Sequence, residues 1–186
     1  ASSFTRDSLQ DRVADLSRVS VIPYGAPPPG PEPAPRDGAT LNVLYVGSLT
    51  QRKGLAYLFA AFEKLPDAIR LTLVGRHPAP GRVPPLDRAL EHHHWIPSLP
   101  HAALLERMRG YDVLVFPSLF EGFGLVILEA MSQGLPVIAT PHTAGPDLIE
   151  DGKNGFIVPV RSPGEIGARL LELSEDAELL LSMKHA

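Results

Sequence analysis

The chain has 186 residues, a formal net charge of −4 and no cysteine. Apolar residues make up 44% of it, which is enough to build a hydrophobic core and excludes a wholly disordered chain. The lack of cysteine excludes a disulfide scaffold, thiol catalysis and cysteine-ligated zinc. The net charge argues against sequence-independent binding of nucleic acid, and no apolar run reaches the ~18 residues of a membrane-spanning helix.

The first 25 residues carry too little apolar sequence to fold alone. Residues 8–19 have apolar side chains at helical spacing, and residues 19–22 are typical of a short strand. We therefore expect residues 1–25 to be a remnant of a neighbouring domain, most of which is missing from the chain.

Prolines mark a linker after that segment. Seven of the 20 prolines fall between Pro23 and Pro35. Proline cannot donate a hydrogen bond to a sheet and favours extended backbone, so residues 26–40 are predicted to form a semi-rigid linker. The remaining residues, 41–186, would then form one domain.

Short apolar segments alternate with helical patterns through that domain. The predicted strands are residues 41–46, 69–74, 93–96, 113–116, 136–139 and 156–158. The predicted helices are residues 55–65, 101–109, 123–133, 163–173 and 176–183. This alternation predicts an α/β fold, with a six-stranded parallel sheet covered by helices on both faces.

A pair of cations follows the first predicted strand. In open parallel sheets, ligands bind beyond the carboxyl ends of the strands, where the chain turns into a helix. This turn contains Gly47, Arg52, Lys53 and Gly54. A helix N-terminus already favours an anion, and two cationic side chains would add to that preference. The turn predicts an anion site, with an ordinary solvated turn as the alternative.

Two glutamates lie near the start of the helix that follows the fourth predicted strand. Glu121 precedes Gly122 in the turn, and Glu129 lies in an otherwise apolar helical run. A bare charge at Glu129 would be costly, so this residue needs partners such as ligand hydroxyls. A diphosphate at the helix N-terminus would lie between groups held by the two glutamates. The alternatives are that Glu121 caps the helix and that Glu129 faces solvent.

Other motifs lack the pattern that their chemistry requires. A dinucleotide-binding G-x-G-x-x-G begins at Gly122 but ends at Ile127, and no G-x-S-x-G of a serine hydrolase occurs. The chain has no Asp-x-Asp pair, so we expect no metal site. The three histidines at residues 92–94 would alternate between opposite faces of an extended chain, which favours a solvated strand edge.

Four separated motifs occur in a characteristic order. They are Val46-Gly47-Ser48-Leu49 with Arg52-Lys53-Gly54, then Leu73-Val74-Gly75, then the stretch from Pro117 to Ala139, then Asp151-Gly152-Lys153-Asn154-Gly155. Together they resemble the signature of the group-one retaining glycosyltransferases, the glycogen-synthase-like enzymes of GT-B fold. The hallmark of that family is two glutamates separated by seven residues, a spacing that Glu121 and Glu129 meet. The resemblance extends over residues 41–183.

The resemblance implies a Rossmann-like domain, the C-terminal half of a GT-B enzyme. Glu121 would contact the donor sugar, Glu129 the ribose, and Arg52 and Lys53 the diphosphate. Further donor-binding residues would be Gly47, Ser48, Phe123, Gly124, Leu125, Arg76 and Ile96. Many family members carry Arg at the position of Ser48, so phosphate binding here must depend more on Arg52 and Lys53.

The resemblance also implies the reaction and its partners. A nucleotide-diphosphate sugar would be the substrate, with no cofactor, and the missing N-terminal domain would hold an unidentified acceptor. Negative charge grows on the departing phosphate, where the two cations and the helix N-terminus would stabilise it. We expect a metal-independent, retaining hexosyltransferase in the cytoplasm, whose present fragment is inactive alone. Contact with the inner membrane face is left open.

Two other functions fit the same residues. One is a nucleotide-sugar 2-epimerase of the same architecture, and the other is a non-catalytic module that binds a nucleotide sugar. Paired glycosidase carboxylates are a rival chemistry for Glu121 and Glu129, but they give no reason for the phosphate-binding cations Arg52 and Lys53.

Overall fold

The computed structural model describes residues 2–36 and 38–186, and its centre is a parallel sheet of six strands. The strands are β1 (Leu41–Val46), β2 (Ile69–Val74), β3 (His94–Ile96), β4 (Val113–Phe116), β5 (Val137–Ala139) and β6 (Gly155–Ile157). Their order across the sheet is β3-β2-β1-β4-β5-β6, and every pairing is parallel. The order reverses between β1 and β4, which makes their carboxyl ends the expected place for a ligand.

Eight α-helices lie in the described residues. They are α1 (Ser3–Asp7), α2 (Leu55–Phe62), α3 (Pro84–Glu91), α4 (His101–Met108), α5 (Leu125–Ser132), α6 (Gly145–Leu148), α7 (Pro163–Glu175) and α8 (Ala177–His185). The sequence predicted five of these to within a few residues. It missed α1, α3 and α6, of which α3 and α6 have proline in their first turn.

Helices cover both faces of the sheet. On one face, Val43 and Tyr45 of β1 pack with apolar residues of α2, α3, α7 and α8. On the other face, Leu44 packs with residues of α4 and α5. Because side chains alternate along a strand, a sheet buried on both faces requires apolar residues at consecutive positions, which the predicted strands have. The predicted Rossmann-like α/β fold is confirmed.

The prediction for residues 8–22 was wrong. The helix at this end is α1, which the Ser2 side chain caps by accepting a hydrogen bond from the Thr5 backbone N–H. Residues 8–12 form turns, Leu16–Arg18 is a single 3₁₀ turn, and residues 19–22 are not a strand. Most helical stability comes from burying an apolar face, and no residue between 8 and 22 is buried.

The proline-rich segment lies along the C-terminal end of α5. Gly30 N–H donates a hydrogen bond to Ser132 O over 2.7 Å, and the Gln133 amide donates to Pro28 O over 3.2 Å. Pro33 packs closely against Gly134. Because proline has no N–H to donate, the segment is held to α5 through the Gly30 N–H and the Pro28 carbonyl. The boundaries proposed for the segments 1–25, 26–40 and 41–186 stay predictions.

Candidate functional site

Two turns meet at the carboxyl edge of the sheet. The first leaves β1 and enters α2 through the 3₁₀ turn Gln51–Lys53 and Gly54, whose φ is 74°. A Cβ on Gly54 would overlap the carbonyl oxygen of Pro117, in the turn after β4. Leu119 N–H also donates to Arg52 O over 2.9 Å. Residues far apart in sequence are thus brought together at the switch point of the sheet.

Glu121 binds both cations of the first turn. Its Oε1 lies 2.7 Å from Arg52 Nη1 and 2.6 Å from Lys53 Nζ. The side chains of Glu121 and Lys53 are each 12% exposed, whereas that of Arg52 is 42% exposed. Limited solvent strengthens the interaction of Glu121 with Lys53 more than that with Arg52. The charged residues predicted from the sequence therefore converge.

Each cation has a second partner, at the end of β4 for Lys53 and in the turn after β4 for Arg52. The Lys53 Nζ lies 5.2 Å from the centre of the Phe116 ring. The Arg52 guanidinium lies 5.4 Å from the Phe120 ring and donates to Phe120 O over 3.1 Å. Aromatic faces attract cations, so both side chains are held by more than the carboxylate.

The backbone around Glu121 is fixed by the segment after β5. Glu121 N–H donates to His142 O over 2.8 Å, and Ala144 N–H donates to Phe123 O over 2.8 Å. The His142 ring nitrogen Nδ1 lies 2.9 Å from Leu119 O. The loop that carries Glu121 is therefore bonded on both sides of that residue.

Helix α1 also contacts this loop. The Ser2 and Thr5 hydroxyls donate to Gly122 O over 2.8 and 2.5 Å. The Phe4 ring stacks on the His142 ring with centroids 5.0 Å apart. Neither His142 nor α1 was predicted as part of the site, because their contacts connect segments that are far apart in sequence.

The tip of α5 is open. The helix begins at Leu125, and its N-cap Gly124 has a φ of 90°, with the Phe116 ring where a Cβ would be. No side chain of the described residues caps this end, so the suggestion that Glu121 caps the helix was wrong. Free N–H groups at a helix N-terminus can receive an anion.

A cavity of about 370 Å³ separates the helix tip from the cation turn. It is lined by Tyr24, Val46, Gly47, Lys53, Phe116, Glu121, Phe123, Gly124, Leu125 and Val126. Six of the predicted site residues thus line one cavity, and Arg52 reaches it through Glu121. Tyr24, which the sequence did not predict here, contacts Phe123 edge-on with ring centroids 5.0 Å apart.

Glu129 borders a neighbouring cavity, of about 500 Å³. Leu125 lines both cavities and lies between them. The Oε1 atom of Glu129 is 3.0 Å from His101 Nε2, and its side chain is 18% exposed. Glu129 therefore has a partner and is largely shielded from solvent, contrary to the alternative that it faces solvent. It lies close to the cavity that holds Glu121 but outside it.

Besides Glu129, three predicted donor residues do not line the cavity that holds Glu121. Ser48 O accepts the Tyr45 hydroxyl over 3.0 Å, and Arg76 O accepts Leu49 N–H over 3.0 Å. Ile96 O accepts Gly75 N–H over 2.9 Å. The observed contacts of Ser48, Arg76 and Ile96 are thus made by their backbone carbonyls, which hold the chain at the carboxyl ends of β1, β2 and β3.

Tyr45 supplies no charge to the site. Burial raises the pKa of its hydroxyl well above the usual range, and the nearby negative charge of Glu121 raises it further. The hydroxyl therefore stays protonated and donates to Ser48 O. The fixed charges at this place are those of Arg52, Lys53 and Glu121.

The consecutive histidines belong to the packing of the opposite, amino edge of the sheet. The His93 ring stacks on Phe59 with centroids 5.7 Å apart, while His92 and His94 are exposed. Within residues 2–36 and 38–186, no group of three His, Asp or Glu side chains could hold a metal ion. In the same residues, no helix has the length and apolar character to cross a membrane.

Comparison with known proteins identifies close relatives. A family model described as "Glycosyl transferases group 1" matches residues 40–176. The putative colanic acid biosynthesis glycosyltransferase WcaL of Salmonella typhimurium is 32% identical over 74% of the chain and 37% of its own length. The phosphatidyl-myo-inositol mannosyltransferase of Mycolicibacterium smegmatis is 34% identical over 78% of the chain and 38% of its own length.

A solved structure has the same fold. Alr3699/HepE of Anabaena, in complex with UDP and glucose, superposes with a TM-score of 0.70 at 24% identity. The match covers 78% of this chain and 42% of that protein. The chain thus spans less than half the length of each of these relatives.

Proposed function

Because the chain belongs to the group 1 glycosyltransferases, we propose that it is the part of such an enzyme that binds a nucleotide-diphosphate sugar. The observation that carries this proposal is the convergence of Arg52 and Lys53 on Glu121, beside the open tip of α5. Two cations and a helix N-terminus form a site for a phosphorylated ligand, and a carboxylate suits sugar hydroxyls. That UDP and glucose are bound by the Anabaena protein supports the same ligand class.

The proposed chemistry is retaining transfer of a hexosyl group. As the bond between sugar and phosphate breaks, negative charge grows on the diphosphate, and Arg52, Lys53 and the α5 N-terminus stabilise it there. Glu121 positions the sugar. Glu129, with His101 beside it, binds the ribose in the neighbouring cavity, and the base lies towards Ile96.

The acceptor is assigned to another domain of the same protein. The relatives are more than twice as long as the matched part, so the present chain is expected to bind the donor and to transfer poorly by itself. Because activated nucleotide donors are made in the cytoplasm, we place the reaction there.

Calorimetric titration of the chain with UDP, GDP and ADP tests the proposal. We expect saturable heat with at least one of the three, and the preferred base narrows the donor. No heat with any of them at millimolar concentration contradicts the proposal. Uridine, guanosine and adenosine, which lack the phosphates, are the matched controls and are expected to give no saturable heat.

Assays on the full-length protein distinguish a transferase from the two alternatives, a 2-epimerase and a non-catalytic binding module. Product analysis with the preferred donor distinguishes a transferase from a 2-epimerase, since only the transferase needs an acceptor. Replacing Glu121 with Ala in that protein is expected to abolish transfer, and unchanged transfer contradicts the role given to Glu121.

A further inference from the structure

The cavity beside α5 is close to electrically neutral. Among its lining residues, Lys53 is the cation and Glu121 is the anion. Arg52 adds one positive charge from the rim, but it too is paired with Glu121. A diphosphate that enters this cavity meets cations whose attraction is already partly cancelled, because one carboxylate oxygen lies within 2.7 Å of both.

The three charged groups are not held equally. Lys53 also lies over the Phe116 ring and Arg52 also donates to Phe120 O, so each cation has a contact besides the carboxylate. The Glu121 carboxylate, by contrast, has no hydrogen-bond or ion-pair partner in the described part of the chain other than these two cations. The carboxylate is therefore the group that can leave without unfolding the turn.

The backbone allows such a movement of the side chain alone. Glu121 N–H is bonded to His142 O, and Gly122 O accepts the hydroxyls of Ser2 and Thr5. These bonds fix the main chain on both sides of the Glu121 Cα. Rotation about the side-chain bonds then moves the carboxylate from the cations towards the cavity without any change of the loop.

We propose that Glu121 is a displaceable anion whose place on Arg52 and Lys53 is taken by the diphosphate of the incoming ligand. This inference rests on the proposed function and adds a specificity role to it. A carboxylate removed from its cations needs new hydrogen-bond donors, because an unpaired charge with little access to water is costly. Hydroxyls of the donor sugar, attached beyond the diphosphate, supply those donors, whereas a free nucleoside diphosphate has no hydroxyl at that end of the molecule.

Two consequences distinguish this role from simple contact with the sugar. Glu121 opposes the binding of any bare diphosphate, so its removal strengthens that binding. It also makes the site prefer a nucleotide sugar, the donor, over a free nucleoside diphosphate, the product. A residue that only contacts the sugar would leave the affinity for bare diphosphate unchanged.

Inorganic pyrophosphate is the direct probe, because it has neither base, ribose nor sugar. We expect Glu121→Gln to bind it about 5- to 20-fold more tightly than the wild-type chain by calorimetry. Glu106→Gln removes the same charge from an exposed position of α4 and is expected to stay within about twofold of wild type. Glu121→Ala, with thermal unfolding as a check on folding, is expected to show the same gain.

Comparison of UDP with UDP-glucose tests the specificity role. We expect the wild-type chain to bind UDP-glucose more tightly than UDP, and the Glu121→Gln variant to lose that preference. If the wild-type chain binds UDP but neither Glu121 variant gains affinity for pyrophosphate, the inference is wrong while the proposed function stands. If the wild-type chain binds none of the three nucleoside diphosphates and no variant binds pyrophosphate, both are wrong.

Discussion

Two lysine–carboxylate pairs at opposite edges of the sheet differ in ways that distinguish a structural ion pair from a candidate binding site. At the amino edge, Lys184 Nζ lies 2.9 Å from Asp112 Oδ1, and the two side chains are 8% and 6% exposed. The other oxygen, Oδ2, accepts Asn42 N–H over 2.8 Å. Both oxygens of Asp112 thus have a partner, and the pair joins α8 to the start of β1.

At the carboxyl edge, the pair of Lys53 and Glu121 is similarly short but differently arranged. One oxygen of Glu121 receives two cations, and the pair lines an open cavity next to a free helix N-terminus. The difference indicates that burial alone does not identify a functional pair. Two cations on one carboxylate oxygen, and room beside it for another anion, make the second pair the candidate site.

The largest expected effect is on stability at the amino edge. Replacing Asp112 with Asn leaves Lys184 buried without a counter-charge, and we expect the free energy of unfolding to fall by about 3 to 5 kcal/mol. Urea denaturation measures this loss. Glu150→Gln breaks an exposed pair with Lys153 and is expected to cost less than about 1 kcal/mol. A similar loss in both variants would contradict the comparison.

The next effect is on anion binding at the carboxyl edge. Lys53→Ala is expected to weaken pyrophosphate binding by about 10- to 100-fold, since a hydrogen bond to a charged group contributes about 1.5 to 3 kcal/mol. Arg52→Ala is expected to weaken it less, because Arg52 is more exposed. Calorimetry measures both variants, with Lys153→Ala as the surface control. If wild type and Lys53→Ala bind pyrophosphate equally well, the turn that carries Arg52 and Lys53 is not part of the anion site.

Glu129 tests whether the two cavities of the candidate site bind different parts of the ligand. Glu129→Gln is expected to weaken UDP binding by about 3- to 10-fold, the value of one hydrogen bond, and to leave pyrophosphate binding unchanged. The ratio of the two dissociation constants is the measurement. Equal weakening of both ligands would mean that Glu129 acts on the phosphates, contrary to its assignment to the ribose.

The smallest effect is a pH dependence at the amino edge. Burial lowers the pKa of His93 from its usual 6.5, with a smaller contribution from His92. The unfolded chain therefore binds this proton first, and stability falls as the pH drops below 6.5 towards the folded-state pKa. Solvent screening at this half-buried ring keeps the loss below about 1 kcal/mol. The measurement is the thermal midpoint at pH 6.5 and at pH 5. His93→Phe keeps the stacking on Phe59 and is expected to reduce the fall in midpoint between these two pH values. The control variant His92→Gln is expected to keep that fall.

Local patterns were sufficient for the sheet but not for every helix. Residues 43–46 and 113–116 are runs of apolar residues that only a sheet covered on both faces accommodates well. Helix α3 escaped prediction because it starts with two prolines and buries only Leu86. The helix predicted over residues 8–19 had the right spacing but no surface on which to pack.

The part of the site that lies at the ends of neighbouring strands could be predicted from the sequence. Arg52, Lys53 and Glu121 follow two strands that are neighbours in a parallel sheet, so their meeting follows from the fold class. The contributions of Tyr24, His101 and His142 were not predictable. Each depends on a contact between segments that are distant in sequence, which local sequence spacing does not specify.

The amino-acid sequence by itself determined the α/β class, the family and the identity of the charged residues. The succession of strands and helices along the chain, and the kinds of residue at strand ends, are encoded in short segments, where apolar runs and glycine turns act locally. Only the tertiary structure decided that one oxygen of Glu121 binds both Arg52 and Lys53, and that Glu129 borders a separate cavity. Electrostatic energies change steeply over a few ångströms, and those distances are set by how the loops pack together.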